Sequence, residues 1–560
     1  MHTTPDTPCT NKKYRVNFKI ASLNMKGRSS PLTGAGPISK WAAVSRTMRE
    51  KKIRLLALQE THLSDQLSDQ ASSLYQRRLS ILNSPHMTNP TSSAGVAFVI
   101  NKEVIKADDL ELHVLIPGRA IQISFKWHNN STINAMNVYA PNDMNKHQQF
   151  WTELRENWAN LRLPHPDLLL GDFNLTEDMI DRSPARYDND GETSALRECR
   201  QQLGVRDSWR SHLPTEHAFT FTTHNHTMSR LDRIYTKEGL EENLTEWTHE
   251  VPGIPSDHKM VSVRLTLNNA PQIGKDKWSW PLGLLNDKEL NRQINLRGQQ
   301  LCLDIKDLSP DNRSSNAQTL WQNFKDDIKK EAAKTAKKQI PKISQRISAL
   351  KKDLSQTWQH DDLDTSPQTR TDTAILEREI EHLEKKKYRR AYTRSQALWH
   401  LKGEKINKYW TRVNNPKKPR DLIYRLIDPR TQQPVTRSDG MARLARDYHE
   451  NLQSEELLPE TDTQRQEAIN KSLDAIPDGQ KLTDPLQSPL NNTIRYIDLE
   501  AALNGSKLGS AAGPDGIPYE VWKHLHLKHK TDTKNNVPSF NALSCMLSAL
   551  VDIQNYGVDP

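Results

Sequence analysis

Cysteine is scarce: only Cys9, Cys199, Cys302 and Cys545 occur in 560 residues. None forms a Cys-x-x-Cys pair, so a structural zinc site or disulfide framework is not expected, and a reducing compartment fits. Long apolar runs are missing too. No stretch approaches the ~18 residues needed to span a bilayer, so no membrane association is expected. Met1 to Asn11 is polar and proline-bearing, without the apolar core of a secretory signal. No solenoid period recurs. Hydrophobic residues make up 35% and charged residues 26%, which is polar for one globule. Roughly two to four domains are expected, a folded one plus solvated helices or linkers. The formal net charge of +9 favours a polyanionic partner, although solubility alone also accounts for it.

The first half alternates in the manner of strands. Val16, Phe18 and Ile20 begin one strand, which ends in Asn24 and Gly27. Trp41, Val44 and Met48 share a helical face. Ile53 to Leu58 is an apolar run ending in Gln59-Glu60-Thr61-His62. Ala94 to Ile100, Ile121 to Phe125 and Ile133 to Val138 read as further strands, the last ending in Tyr139-Ala140-Pro141-Asn142. A helix carrying Phe150, Trp151, Leu154 and Trp158 precedes the buried run Leu168-Leu169-Leu170. That run closes in Gly171-Asp172-Phe173-Asn174. Thr193 to Leu203 reads as a helix. Phe219 to Phe221, Leu231 to Tyr235 and Val261 to Leu265 read as strands, with Ser256-Asp257-His258 before the last. Many strands and few helices predict two sheets packed face to face with helices outside. The polar groups recur at strand ends, as they would on one rim of a sandwich.

The residue types define a chemistry. Glu60 and Asp257 are hard oxygen ligands and Asn24 adds an amide oxygen, a set suited to magnesium, with manganese as a substitute. The alternative for Glu60 is a helix N-cap region with Thr61. Asp172 can carry or activate a water, and Asn174 can hydrogen-bond an oxyanion; an ordinary Asx-turn is the alternative. Asp232 either orients the His258 ring or pairs with Arg230 or Arg233. Tyr139 either donates to an anion or packs as a core aromatic.

Six motifs, Ser22-Leu23-Asn24-x-x-Gly27, Leu58-Gln59-Glu60-Thr61, Val138-Tyr139-Ala140-Pro141-Asn142, Gly171-Asp172-Phe173-Asn174, Ser229-Arg230-Leu231-Asp232-Arg233 and Ser256-Asp257-His258, occur in this order between Tyr14 and Asn268. Together they resemble the endonuclease/exonuclease/phosphatase family, most of all the apurinic-type endonuclease domains of LINE-class (non-LTR) retrotransposons. The resemblance implies an α+β fold, a four-layer αββα sandwich of the DNase I-like kind, and Mg²⁺-dependent hydrolysis of DNA phosphodiesters in the nucleus. It implies that Glu60, Asn24 and Asp257 serve the metal, and that Asp172 deprotonates the attacking water beside Asn174. Tyr139, Asn142 and His258 would stabilise phosphorane-like charge, Asp232 would buttress His258, and Ser229, Arg230 and Lys26 would contact phosphate or DNA. Lys26 is a departure: many relatives carry Asp or Asn there, and a charged lysine ligates no cation.

Leu320 to Tyr409 is rich in Lys, Arg, Glu, Gln and Ala, good helix formers. Ile343, Ile347, Leu350 and Leu354 form a stripe, and Ile375, Ile380, Leu383 and Tyr388 resume one after a polar break at 361–373. This stretch is either a solvated helix pair or a nucleic-acid grip, in which Tyr388, Tyr392, Trp399, Tyr409 and Trp410 offer stacking faces. Leu508 to Pro518 is a Gly/Pro loop resembling the fingers region that opens a LINE-class reverse transcriptase. No Tyr/Phe-x-Asp-Asp follows it, so no polymerase activity is expected, and the C-terminal piece is expected not to complete a core. The expected organisation is a disordered 1–13, an endonuclease domain at 14–268, a basic helical region at 269–430 and a reverse transcriptase fragment at 431–560. DNA is the expected partner, with element RNA a further one. The alternatives are a decayed nucleic-acid-binding remnant and a phosphoinositide-type phosphatase of the same fold.

Overall fold

Alternating side chains in the first half place apolar groups on both faces of most strands, which requires cover on both sides. The computed structural model describes residues 17–27, 40–103, 105, 110–126, 132–266, 278–308, 316–338, 342–402, 423, 425–454, 462–477, 480, 492–510 and 512–558, with backbone alone for 388–402, 453–454 and 462. The strands are Phe18–Asn24 (β1), Ile53–Gln59 (β2), Leu79–Ser84 (β3), Val96–Asn101 (β4), Glu111–Ile116 (β5), Ala120–Lys126 (β6), Thr132–Tyr139 (β7), Leu168–Asp172 (β8), Arg182–Ser183 (β9), Val205–Arg206 (β10), Phe221–Thr222 (β11), Met228–Ser229 (β12), Asp232–Lys237 (β13), Leu244–Glu250 (β14) and Met260–Leu265 (β15). Two six-stranded sheets result, ordered β14-β15-β1-β2-β4-β3 and β10-β13-β8-β7-β6-β5. β11, β12 and β9 form a small third sheet.

Both large sheets are mixed. β1 and β2 run parallel, as do β7 and β8, and each pair is joined through a helix. Lys40–Glu50 (α1) makes the first connection and Asp65–Tyr75 (α2) follows β2; His147–Asn160 (α3) makes the second connection. Asp190–Leu203 (α4) and the short Ser208–His212 (α5) complete the set.

Phe18, Ile20, Phe98, Ile123, Phe125, Leu168, Leu170 and Val263 fill the space between the sheets. Leu56 and Leu58 turn outward onto Trp41, Val44 and Met48 of α1. Leu169 and Val138 turn outward onto Trp151 and Leu154 of α3. The layers are therefore helix, sheet, sheet, helix. Gly171 is forced by this packing: at φ 152° an added Cβ would lie 1.9 Å from the Val138 carbonyl oxygen.

The chain divides into two units, Met1–Gly274 with Lys342–Ala445, and Lys275–Pro341 with Arg446–Pro560. Lys288–Lys306 (α6) and Ala317–Lys338 (α7) belong to the second unit, whereas Lys342–Trp358 (α8) and Pro367–Lys402 (α9) belong to the first. The stretch 269–430, read above as one helical region, is thus shared between them. Pro367 opens α9 at a position where its missing N–H is unneeded. Leu350, Leu354, Trp358 and Ile380 pack against Phe219, Met228 and Val251 of the sandwich.

Ser438–Ser454 (α10) and Asp462–Asp474 (α11) are largely exposed helices. In the second unit, Tyr496–Gly505 (α12), Tyr519–Lys534 (α13) and Ala542–Tyr556 (α14) build a core with α6 and α7. Leu290, Ile294, Trp321, Phe324, Trp522 and Phe540 are buried in it. The expectation that the C-terminal piece would not complete a core is therefore corrected, because 278–338, within the stretch expected to be a basic helical region, supplies the missing apolar faces. Trp280 N donates to Gly516 O at 2.9 Å, which seats the Leu508–Pro518 loop on that core. The N-terminal stretch 1–13 lies outside the described residues, as do the side chains of Tyr388, Tyr392, Trp399, Tyr409 and Trp410. No helix among the described residues is long and apolar enough to cross a membrane.

Candidate active site

Strand register builds the site. On the second sheet Tyr139 pairs with Asp172 across β7 and β8, and Asp172 pairs with Asp232 across β8 and β13. Three polar residues therefore stand in one row across neighbouring strands, at the ends of β7 and β8 and the start of β13. On the first sheet Asn24 ends β1 opposite Gln59, so Glu60 follows at the same edge. His258 lies just before β15, which pairs with β1, and bridges to Phe221. Lys26, Glu60 and Asn174 all have φ near +49°, a left-handed conformation unfavourable for side-chain-bearing residues and typical of tight functional turns.

Hydrogen bonds join the two sheet edges. Asn24 Nδ2 donates to Asp172 Oδ2 at 2.8 Å and to Glu60 Oε1 at 3.0 Å, so one amide bridges two carboxylates from opposite sheets. The Tyr139 hydroxyl lies 2.7 Å from Glu60 Oε1 and 2.8 Å from Asn142 Oδ1. Asn174 Nδ2 donates to Asn142 Oδ1 at 3.1 Å and to Ala140 O at 2.9 Å. His258 Nδ1 lies 2.8 Å from Asp232 Oδ2, which orients the ring, and Nε2 is 3.9 Å from Asp172 Oδ2. Of the two roles open to Asp232, its side chain takes the one on His258.

Burial and charge pull the titrations of this group apart. Burial, then the nearby Asp232 charge, push Asp172 up to about 6, against His258, the Asn24 amide and Asn174 N–H. Burial alone would lower His258; the Asp232 and Asp172 carboxylates and the Asp232 hydrogen bond outweigh it and raise His258 to about 9. Burial, then the Glu60 carboxylate, drive the Tyr139 hydroxyl far above its ordinary range, so it stays a donor. A carboxylate that ionises near neutrality thus sits beside an imidazolium, the pairing expected of a base and an electrostatic stabiliser.

Residues 33–258 match the model of the Endonuclease/Exonuclease/phosphatase family. This chain carries an endonuclease/exonuclease/phosphatase domain. A homologous curated protein, the Transposon TX1 uncharacterized 149 kDa protein of Xenopus laevis, is 23% identical over 514 residues. That alignment covers 90% of this chain and 36% of that protein, so the chain spans about a third of the relative's length. Among solved structures, AP endonuclease LMAP from Leishmania major is 17% identical, covering 48% of this chain and 92% of that one at a TM-score of 0.37. The endonuclease domain of TRAS1, a telomere-specific non-LTR retrotransposon, is 14% identical, covering 45% and 99% at a TM-score of 0.33. An AP endonuclease from Archaeoglobus fulgidus is 18% identical, covering 45% and 100% at a TM-score of 0.36.

The oxygen donors of the domain suit a divalent cation. One donor atom each from Asp172, Asp232 and His258 lies within 4.8 Å of the others. Asp232 Oδ1 is buried with no hydrogen-bond partner among the described residues. Glu60 and Asp172 converge on the Asn24 amide. Asn24 turns Nδ2 to the two carboxylates while its Oδ1 accepts from Lys26 N at 2.9 Å.

Other expected site residues are placed differently. Arg230 is buried, paired bidentately with Asp181 at 2.8 Å and with Asp207 at 2.5 Å. The expectation of a phosphate contact is corrected, since a guanidinium buried in the interior and held by two carboxylates does not face a cleft. Ser229 is buried too, and its hydroxyl accepts from Arg182. Asp257 is exposed and paired with Lys26 at 2.7 Å, outside the Asp172–Asp232–His258 cluster.

Two contributors escaped the sequence. Lys40 Nζ donates to the carbonyls of Met25, Lys26 and Gly27, pinning the turn after Asn24. Arg119 lies 4.7 Å over the Tyr139 ring and donates to Tyr139 O and Ala140 O. Neither residue stands in a motif.

Proposed function

We propose that the domain is a Mg²⁺-dependent endonuclease that nicks one strand of duplex DNA, acting in the nucleus for a LINE-class element. One observation carries this reading: Asp172 stands in register with Asp232, while His258 spans both at 2.8 and 3.9 Å. Asp172, ionised above about pH 6, takes the proton of the attacking water. The water oxygen bonds to phosphorus as the bond from phosphorus to the 3′ oxygen breaks, and the departing oxygen takes a proton from solvent to become a 3′ hydroxyl able to prime synthesis. Asn174 holds Asn142 by donating to its Oδ1, so that the exposed Asn142 would offer its own amide N–H to the phosphate, and the His258 imidazolium balances charge on the phosphoryl oxygens. Glu60, steadied by Asn24 and Tyr139, would hold the divalent cation, which supplies charge stabilisation at the phosphoryl and leaving oxygens. Element RNA is a further partner under this reading, and 431–560 is the opening of a reverse transcriptase domain for which no polymerase chemistry is proposed.

A second reading, a nucleic-acid-binding remnant, draws support from Lys26, whose ion pair occupies Asp257. Incubating the full chain with supercoiled plasmid and Mg²⁺, with EDTA and Asp172→Asn as controls, separates the two. Metal-dependent nicking lost in Asp172→Asn is expected. Salt-sensitive binding with intact plasmid selects the remnant.

A further inference from the structure

We propose that the α8–α9 hairpin is a working part of the nuclease site, with Glu377 of α9 as the positioning residue that holds His258 and the 223–227 turn in place. This rests on the endonuclease reading above. Lys259 directly follows His258 and is 4% exposed, so its ammonium needs a counter-charge. It finds one on α9: Lys259 Nζ is 2.7 Å from Glu377 Oε1 and lies 5.2 Å over the Trp358 ring of α8. The same glutamate accepts from Thr222 Oγ1 at 3.0 Å, and Thr222 Oγ1 accepts from Lys259 Nζ at 3.3 Å.

Both connections lead into the site. Lys259 N donates to Thr220 O at 2.7 Å, and the Thr220 hydroxyl accepts from Asp232 N at 3.0 Å. Phe221, beside Thr222, sets its ring against that of His258, 4.8 Å between centroids and tilted by 34°. Between the turn and α9 opens a cleft of about 310 Å³, lined by His224, His226, His258 and Arg378. Glu377 thus fixes the residue after the imidazole and the strand beneath the turn that faces it. No sequence motif joins this helix to the sandwich, yet among the described residues it is Glu377 of this helix that pairs with the buried lysine beside His258.

The test compares full-length wild type with Glu377→Gln and with Thr222→Val, a near-isosteric change that removes the shared hydroxyl. Plasmid-nicking kinetics, thermal melting and amide hydrogen exchange are read on each. For Glu377→Gln, kcat is expected to fall on the order of tenfold with KM within about twofold, as small misplacement of a reacting group costs rate before binding. Exchange should quicken at 220–229 and 256–260, with exchange elsewhere unchanged. Thr222→Val should show the same pattern in smaller measure. A folded Glu377→Gln with wild-type kcat and exchange overturns the proposal. If Glu377→Gln does not fold, a wild-type kcat and exchange pattern in Thr222→Val overturns it instead. A wild-type chain that does not nick sinks the nuclease reading alone, because exchange still decides whether Glu377 holds these segments.

Discussion

Asp232→Asn removes one charge from the centre of the site while keeping its shape. His258 is raised from an ordinary 6.5 to about 9 against the pull of burial, chiefly by Asp232. At about 1.4 kcal/mol per pKa unit, the lift corresponds to about 3 kcal/mol favouring the charged ring, shared among Asp232, Asp172 and Asp257. The asparagine keeps a hydrogen-bonding oxygen but no charge, so the imidazole should become largely neutral at physiological pH. Asp172, raised partly by the same neighbour, should ionise at lower pH. The wild-type nicking rate should form a bell, rising through about pH 6 and falling through about pH 9. In Asp232→Asn both limbs should move to lower pH, and the rate near pH 8 should fall on the order of 10²-fold.

Stability should follow the same titration. A histidine raised on folding binds more protons in the native state between its unfolded and folded values. Its contribution is present in full below about pH 6.5 and fades as pH rises through about 9. That slope should flatten in Asp232→Asn. The assays are initial nicking rates at fixed Mg²⁺ from pH 5 to 10, His258 ring resonances by NMR, and denaturant unfolding across the window. A wild-type His258 titrating near 6.5, or limbs unmoved in the variant, refutes the reasoning.

Tyr139→Phe should cost only about 1 kcal/mol of stability, because Glu60 keeps Asn24 and Asn142 keeps Asn174 as partners. Its nicking kcat should fall on the order of tenfold, and a wild-type kcat would remove the hydroxyl from the chemistry. Arg230→Ala leaves Asp181 and Asp207 without their shared buried partner and should cost about 3–5 kcal/mol in denaturant unfolding. A stable Arg230→Ala chain that merely binds DNA less tightly would restore the phosphate-contact role. Lys26→Ala breaks a pair whose side chains are 64% and 35% exposed, so stability should change by less than about 1 kcal/mol. A melting temperature several degrees lower would show that this pair supports the turn.

The legible strands were the central ones. β1, β2, β4, β6, β7, β8 and β15 are covered on both faces, and their apolar runs announce them. β3, β5 and β14 are not legible in the sequence, and each is a sheet edge. β5, with Glu111, His113 and Val114 turned partly or fully to solvent, and β14, mostly half-buried, carry no run to detect. The α8–α9 stripe was visible, but its destination was not. Spacing shows that Leu350 and Leu354 share a face, whereas only the folded chain shows that Phe219 and Met228 receive it.

The site divides along the same line. Polar residues that end an apolar strand are conspicuous, because a buried run has no packing reason to stop in an acid or an amide. Tyr139 and Asp172 stood out for this reason, and register carried them to one place together with Asp232. Arg230 misled because charge type does not disclose burial. A guanidinium among motif residues resembles a phosphate contact until Asp181 and Asp207, from distant loops, are seen to neutralise it. Lys40 was hidden for the converse reason, its work being done on the carbonyls of Met25, Lys26 and Gly27, which every sequence has and none displays. A motif read along the chain can therefore nominate side chains that face a cleft. Which charges the interior has already consumed follows only from the partners that packing brings.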